Sequence, residues 1–136
     1  MDDVMQTLKI SAAGLKAQGT RLRVIAENVA NANSLPLAPG QAPYQRRTVS
    51  FRSVLDDQVG AKMVEVARIS GDKAPFPRKY DPTHPAADAQ GYVETPNVSS
   101  LIEMADMREA QRSYEANLNV IKASKAMLQE TVDILR

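Results

Sequence analysis

Large apolar side chains recur with a seven-residue period along the first part of the chain. The ladder consists of Leu8, Leu15, Leu22 and Val29. Small or apolar residues lie three or four positions away from each step, which is the spacing of a coiled-coil seam. Pro36 cannot continue a helix and disfavours helical geometry at the residue before it, so this helix is predicted to end near residues 31–34.

A second apolar stripe, also spaced by threes and fours, predicts a helix over residues 98–136, a stretch without Gly or Pro. The stripe consists of Met104, Met107, Gln111, Tyr114, Leu118, Ile121, Lys125, Leu128, Val132 and Leu135. Ser100 and Glu103 have the spacing of a capping box at its start, and Asn97 is a rival cap. Gly14 and Gly19 lower helix propensity in the N-terminal segment, so the C-terminal helix is predicted to be the stronger.

The segment between the two helices is rich in proline, because all 8 prolines lie between residues 36 and 96. Short extended stretches are predicted at 48–51, 62–69 and 92–95, and a loop at 71–90. The predicted fold is therefore mainly α, with long N- and C-terminal helices paired as an elongated coiled-coil-like core and a small β-rich or irregular insertion. Its segments are 1–34, 35–97 and 98–136, within one structural unit.

Charge and cysteine content exclude several classes of function. The formal net charge is +1, from 17 basic and 16 acidic residues, which argues against a nucleic-acid partner. The sequence has no cysteine, so disulfides, thiolate metal sites and cysteine nucleophiles are excluded. No apolar run of about 18 residues occurs, so no membrane span is expected.

Candidate catalytic and metal-binding residues are sparse. The one histidine, His84, precedes Pro85 in a proline-rich loop and has no visible partner for acid–base chemistry. Asp56, Asp57, Asp81 and Asp88 lack the spacing of a calcium loop, so turn roles are predicted for them. Arg46 and Arg47 are read as a solvated strand face. No catalytic, metal or cofactor-binding residue is assigned, no cofactor is expected, and the protein is predicted not to be an enzyme.

The two apolar stripes are compatible with either an intramolecular helical hairpin or packing between molecules. Gln111 and Lys125 interrupt the C-terminal stripe, and asparagines cluster at the end of the N-terminal one. Polar groups in a seam cost stability but specify register and partner. This pattern favours packing between molecules.

Three blocks of sequence resemble one family. Residues 22–34 (LRVIAENVANANS) resemble the N-terminal signature of flagellar rod and hook proteins, with Ser34 in place of the usual Thr. A second block is similar to one found in the proximal-rod subunits; it consists of Asp81–Pro85, Asp88, Gly91–Val93 and Pro96–Val98. The third block resembles the family's C-terminal helix: Glu103, Met104, Met107, Ala110, Arg112, Ser113, Tyr114, Ala116 and Asn117. Residues 53–73 match least.

The resemblance implies a structural subunit of the bacterial flagellar basal body, located in the rod within the periplasmic space. Such subunits are exported unfolded by the flagellar type III apparatus, and their terminal helices assemble into a helical tube that transmits torque. The implied partners are further copies of the chain, other rod subunits, basal-body or export components and the surrounding rings.

Fifteen residues of the two helical segments are predicted to form the assembly interface. They are Leu8, Leu15, Leu22, Ile25, Asn28, Val29, Asn31, Asn33, Met107, Tyr114, Asn117, Leu118, Ile121, Leu128 and Leu135. The asparagines are expected to bond helix-end backbone or a neighbouring subunit. Two alternatives remain open on the residues alone: a soluble coiled-coil adaptor that forms a discrete oligomer, and a small enzyme.

Overall fold

The computed structural model describes residues 2–136, and in that range it contains two helices and two small β-sheets. The elements in chain order are α1 (Asp2–Ala30), β1 (Arg47–Asp56), β2 (Ala61–Gly71), β3 (Arg78–Tyr80), β4 (Tyr92–Glu94) and α2 (Ser100–Ile134). Strands β1 and β2 form one sheet, and β3 and β4 form the other.

Both helices end where the sequence predicts. Helix α1 runs for 29 residues and ends at Ala30, just before the asparagine cluster. The backbone N–H of Asn31 still donates to the carbonyl of Glu27 at 3.1 Å, and Pro36 lies only a few residues beyond. Helix α2 runs for 35 residues, none of which is Gly or Pro, so no residue in it breaks the backbone hydrogen bonding.

The β1–β2 hairpin turns at residues 56–60. The Gly60 N–H donates to the Asp56 carbonyl at 2.7 Å, while Asp56 Oδ1 accepts from the N–H groups of Gln58 and Val59 at 2.9 and 3.1 Å. Gly60 has a φ of +73°, a conformation that favours glycine. The turn chemistry therefore explains why the chain reverses here.

The β3–β4 sheet is a short antiparallel pair in which Tyr80 faces Tyr92. The connecting loop is held by the Asp81 N–H, which donates to the Gly91 carbonyl at 2.9 Å. Gly91 has a φ of +89°, and a Cβ there would lie 2.9 Å from the Tyr80 ring. Glycine at this position thus lets the loop pass close to an aromatic side chain.

The predicted fold class is wrong. Helices account for 47% of the chain, and two small antiparallel sheets accompany them, so the fold is a mixture of α and β rather than a mainly α fold with long paired helices. The extended signals at 48–51 and 62–69 belong to strands of 10 and 11 residues. Strand β3 lies in the stretch predicted to be a loop, because three exposed residues carry too little pattern to be recognised.

The chain divides into two compact units, each built from segments distant in sequence. Among the described residues, unit 1 comprises 2–22, 49–68 and 108–136, and unit 2 comprises 23–48 and 69–107. Ala17 and Ala110 are buried in unit 1, whereas Val24, Ile25, Ala86 and Val93 are buried in unit 2. The division of the chain into an N-terminal helical segment (1–34), a middle segment (35–97) and a C-terminal helical segment (98–136) remains a prediction.

Candidate functional site

Charged and amide side chains converge in unit 2 around one arginine. We call this group the Arg46 cluster; its members are Asn28, Tyr44, Arg46, Asp72, Asn97, Glu103 and Asp106. They come from α1, the segment before β1, the residue after β2, the approach to α2, and α2 itself. The cluster therefore ties the ends of most of the elements in this unit to one another.

Arg46 is the centre of the cluster because its guanidinium faces three carboxylates. Its Nε donates to Glu103, and its terminal nitrogens lie 3.1 Å from Asp72 Oδ2 and 3.3 Å from Asp106 Oδ2. The Glu103 side chain is 0% exposed, whereas that of Arg46 is 20% exposed. A carboxylate withdrawn from water in this way needs a cation and further hydrogen bonds, and Arg46 supplies the cation.

Asn28 completes the polar network on the α1 side. Its Nδ2 donates to the Arg47 carbonyl at 2.8 Å and to Glu103 Oε2 at 3.3 Å. Its Oδ1 accepts from the Tyr44 hydroxyl at 2.7 Å and from the Arg47 N–H at 3.0 Å. Asn28 is 1% exposed, so its amide is satisfied by partners within its own chain.

Asn97 joins the cluster through hydrogen bonds to the backbone just before β1 and just after β2. Its Oδ1 accepts from the Arg46 N–H at 2.7 Å, and its Nδ2 donates to the carbonyls of Asp72 and Ala74, each at 3.0 Å. Its amide is thus engaged with the segments that enter and leave the sheet. The capping role weighed for Asn97 is wrong.

Electrostatics within the cluster shift three pKa values. Burial works against the charge of Arg46, but hydrogen bonds to Glu103 and Asp72 outweigh it and raise the Arg46 pKa. The Ala74 N–H, followed by Arg46, lowers the pKa of Asp72. Burial, reinforced by nearby Glu27, raises the pKa of Tyr44. The carboxylate of Asp72 and the guanidinium of Arg46 are therefore held in their charged forms.

Sequence reasoning missed this cluster and misassigned two of its members besides Asn97. Arg46 is not on a solvated strand face, and Glu103 does not close a capping box, because its carboxylate is engaged by Arg46 and Asn28. The Glu103 N–H donates to the Ser99 carbonyl at 2.9 Å as an ordinary turn of the helix. One signal was available: Glu103, Ala110, Asn117 and Ser124 repeat every seven residues, and three of them are buried.

The predicted interface residues are distributed over all degrees of burial. Ile25 and Asn28 are buried, while Val29, Asn33 and Leu135 are exposed. Those that are half-buried are Leu8, Leu15, Leu22, Asn31, Met107, Tyr114, Asn117, Leu118, Ile121 and Leu128. Asn31 Nδ2 donates to the Glu27 carbonyl at the end of α1, at 2.9 Å. Their role in assembly stays a prediction.

Several large apolar side chains that the predicted interface omits are exposed to solvent. In unit 1 they include Met5, Ile10, Val54, Leu55, Val120, Met127 and Ile134. In unit 2 they include Leu37, Tyr80, Tyr92, Leu101, Ile102 and Met104. Single exposed apolar residues are ordinary, but groups of them mark surfaces that other molecules cover.

The β3–β4 sheet carries a second, exposed polar group. Asp88 Oδ1 accepts from the N–H groups of Gln90 and Tyr92 at 2.8 and 3.0 Å, and Arg78 reaches Asp88 at 2.6 Å. The Tyr92 backbone bond, together with the other N–H and Arg78, lowers the Asp88 pKa. The predicted turn role of Asp88 is confirmed.

The remaining candidates for chemistry have structural partners. His84 Nδ1 accepts from the Ala86 N–H at 3.0 Å, and Asp81 accepts from the Thr83 hydroxyl at 3.1 Å. Among residues 2–136, no group of three or more His, Asp or Glu side chains is arranged to hold a metal ion. Within that same range, neither helix is both long enough and apolar enough to cross a membrane.

Comparison with known proteins gives one consistent result. Residues 89–134 match the family model described as flagellar basal body rod FlgEFG protein C-terminal. A flagellar basal-body rod protein FlgC of Agrobacterium fabrum is 48% identical over 136 residues, covering 100% of this chain and 98% of the relative. Proteins of the same name from Borreliella burgdorferi and Bacillus subtilis are 38% and 37% identical, with at least 94% of each chain covered.

Proposed function

The chain belongs to the family of flagellar basal-body rod proteins named FlgC, and on that premise we propose that it is built into the rod through its terminal helices. It is a structural subunit of the basal-body rod and not an enzyme. The alternative of an adaptor unrelated to flagella is set aside, because its relatives over the whole chain are rod proteins.

The observation that carries this proposal is the exposure of large apolar side chains on the two terminal helices. Ile134 at the end of α2 is 82% exposed, Leu135 just beyond it is 74% exposed, and Leu101 near the start of α2 is 80% exposed. Burying such side chains is favourable by about 1.5–3 kcal/mol each when they are fully covered. Neighbouring subunits in the rod supply that cover.

The route and the partners are part of the same proposal. The subunit is exported unfolded by the flagellar type III apparatus and then forms part of the proximal rod, a helical tube that transmits torque. Its cysteine-free sequence suits this route, because no disulfide has to break or form. Its partners are further copies of itself, other rod subunits, basal-body or export components and the surrounding rings.

The test is a Leu22→Asp substitution in a strain that carries this variant as its only copy. Leu22 is half-buried on α1, so a carboxylate there is partly withdrawn from water, which is unfavourable. We expect loss of swimming and of completed rods, scored in motility agar and by electron microscopy of isolated basal bodies.

The matched control is Arg23→Asp at the next position, where the side chain is 57% exposed. This variant is expected to swim, since its new carboxylate remains in water. Circular dichroism of both purified variants checks that they fold alike. A normally motile Leu22→Asp strain would refute the assembly role of α1.

A further inference from the structure

One face of the β3–β4 sheet presents two tyrosines side by side. The strand register places Tyr80 opposite Tyr92 and Arg78 opposite Glu94. These four side chains lie on the same face, because side chains alternate along a strand. Tyr80 is 63% and Tyr92 is 40% exposed, whereas Val93 on the opposite face is 1% exposed. We call this surface the tyrosine face; it holds two of the 4 tyrosines in a chain that is only 4% aromatic.

The two rings are held in fixed positions although they are exposed. Their centroids lie 5.3 Å apart at an interplanar angle of 65°, which is an edge-to-face contact. The Tyr80 ring also lies close to Gly91, where a Cβ would be 2.9 Å from it. The Arg78 guanidinium lies 5.4 Å from the centre of the Tyr92 ring, and Asp88 holds it at 2.6 Å. A ligand that binds here orders little of the protein, which favours affinity.

The size and charge of the tyrosine face suit a small, uncharged ligand. A stable protein interface buries about 800 Å² on each partner, whereas one aromatic side chain offers about 150–250 Å². Arg78 covers part of the Tyr92 ring, so the exposed aromatic area is smaller still. Arg78 is the one cation on this face, because Lys79 lies opposite Val93 on the other face. The carboxylates of Asp88 and Glu94 outnumber it, so phosphate groups and other anions are disfavoured.

A small recess adjoins the Tyr92 ring and encloses about 280 Å³. Its lining combines apolar and polar groups, which include Pro36, Ala42, Ala86, Gln41, Arg78, Asp88 and Glu94. Pockets for drug-sized ligands enclose about 300–1,000 Å³, so this recess suits one substituent of a larger ligand. An acetamido group matches the lining. Its methyl group contacts the apolar side chains, its N–H donates to a carboxylate, and its carbonyl accepts from an amide or a guanidinium.

We propose that the tyrosine face and its recess bind a glycan of N-acetylhexosamine units, an inference that rests on the proposed function. One side of a pyranose ring consists of C–H groups, which pack on the electron-rich face of the Tyr80 ring while the hydroxyl groups at the sugar's edge form hydrogen bonds. The acetamido group of the sugar enters the recess beside Tyr92. Glycans of this chemistry form the bacterial cell wall, which shares the periplasmic space with the rod. The contact therefore attaches the subunit to the cell wall without involving its terminal helices.

The first test titrates the purified full-length subunit with tetra-N-acetylchitotetraose, so it does not depend on assembly into a rod. Isotope-labelled tyrosine rings are followed by NMR and assigned with single Tyr→Phe variants. We expect saturable shifts of the Tyr80 and Tyr92 signals. Tyr44 and Tyr114 are not part of the tyrosine face, so their signals are the internal control and are expected to stay in place. Equal shifts of all the tyrosines, or no shift at Tyr80, would overturn the inference.

Two substitutions separate the ring of Tyr80 from its hydroxyl group. Tyr80→Ala is expected to weaken binding of the tetrasaccharide about tenfold. Tyr80→Phe keeps the ring and is expected to bind within about twofold of the unchanged chain. The matched control is Leu101→Ala, which removes an apolar side chain that is 80% exposed on α2 and is expected to leave binding unchanged. Unchanged binding by Tyr80→Ala would count against the tyrosine face as the site.

Co-sedimentation with purified cell-wall sacculi, compared with cellulose particles, tests the source of the glycan. The unchanged subunit is expected in the sacculus pellet, and Tyr80→Ala mostly in the supernatant. Cellulose has no acetamido groups, so equal retention on cellulose would overturn the assignment of N-acetylhexosamine. Binding of the tetrasaccharide without binding of sacculi would overturn the cell wall as the source. If no glycan binds while Leu22→Asp still blocks rod completion, this inference fails and the proposed function stands.

Discussion

Arg46 and Glu103 are the residues on which the geometry of unit 2 depends most. An ionised carboxylate removed from water costs several kcal/mol unless a cation and hydrogen bonds compensate for it. Glu103 is fully buried, and Arg46 and Asn28 provide that compensation. Because a buried ion pair adds little net stability over an apolar core, the main effect of the cluster is to fix which segments meet.

Replacing Arg46 by Met is expected to lower the free energy of unfolding by about 3–5 kcal/mol, because Glu103 then stays buried without its cation. Adding Glu103→Met to the same chain is expected to recover a large part of that loss, since the unpaired charge disappears. Urea denaturation of the two single variants and the double variant measures the coupling. Additive losses would contradict the interpretation.

The control for that experiment is Arg52→Met, the same substitution in the pair between Arg52 and Glu65. These side chains are 62% and 45% exposed, and an exposed ion pair contributes about 0–1 kcal/mol. If Arg52→Met lowered the free energy of unfolding as much as Arg46→Met does, burial of the ion pair would not be the cause of the loss at Arg46.

The Asp72 carboxyl adds a pH dependence to the same cluster. Its folded-state pKa is below the ordinary value, so its contribution to stability is present at neutral pH. The contribution is lost as the pH falls below about 4, the ordinary pKa of aspartate, toward the lower folded-state pKa. Asp72→Asn is therefore expected to lower Tm at pH 7 and to flatten the fall in Tm between pH 5 and 3. Thermal melts across this range, with Asp57→Asn as the control, decide the question.

At the scale of the elements, the sequence predicts the ends of the helices better than their faces. Proline spacing confines both helices and places the end of α1 correctly, because proline acts locally on the backbone. The buried face of α2 was not recognised, since Glu103, Ala110, Asn117 and Ser124 are small or polar. Periodicity of large apolar residues therefore pointed to Met104 and Leu135, which are 53% and 74% exposed.

The Arg46 cluster could not be predicted from local sequence patterns, for a different reason. Its partners are separated by 16 to 75 residues along the chain, as for Asn28–Tyr44 and Asn28–Glu103. No periodicity within one element specifies which charge on another element it will meet. Turn residues such as Asp56 and Asp88 were predictable, because they bond backbone only two to four residues away.

Two glycines of α1, Gly14 and Gly19, provide a test of how closely side chains of α2 approach this helix. A Cβ at Gly19 would meet only Tyr114, at 3.9 Å, so Gly19→Ala is expected to raise the free energy of unfolding by about 0.8–1 kcal/mol. A Cβ at Gly14 would lie 2.9 Å from the Asn117 amide, so Gly14→Ala is expected to show no such gain. Urea denaturation of the two variants measures the difference. Equal stabilisation by both variants would mean that the Asn117 side chain moves away from the new Cβ at position 14 without a cost in stability.

At the scale of the whole molecule, little of the apolar surface is fully buried within either unit. Alanines dominate the buried apolar residues of unit 1, whereas larger side chains such as Met127 and Ile134 remain exposed. A small chain that covers so little of its apolar surface gains stability when neighbours bind only the folded form. Assembly and folding of the terminal segments are therefore expected to be coupled.

This coupling predicts where the free subunit opens first. Every residue of α2 from 129 onward is exposed, whereas Glu103 and Ala110 near its beginning are 0% exposed. Local opening is easiest where few buried contacts resist it. Limited proteolysis of the purified subunit, followed by mass spectrometry, is expected to find early cuts within residues 120–136 and late cuts within 69–107.

The same digestion of isolated basal bodies tests whether the end of α2 becomes ordered on assembly or stays flexible in the rod. In the rod, residues 120–136 are expected to become as resistant as residues 69–107, because neighbouring copies cover the exposed side chains. Equal resistance of both segments already in the free subunit would mean that the chain is stable without neighbours. Continued early cleavage in the rod would instead mean that the end of α2 takes no part in the assembly contacts.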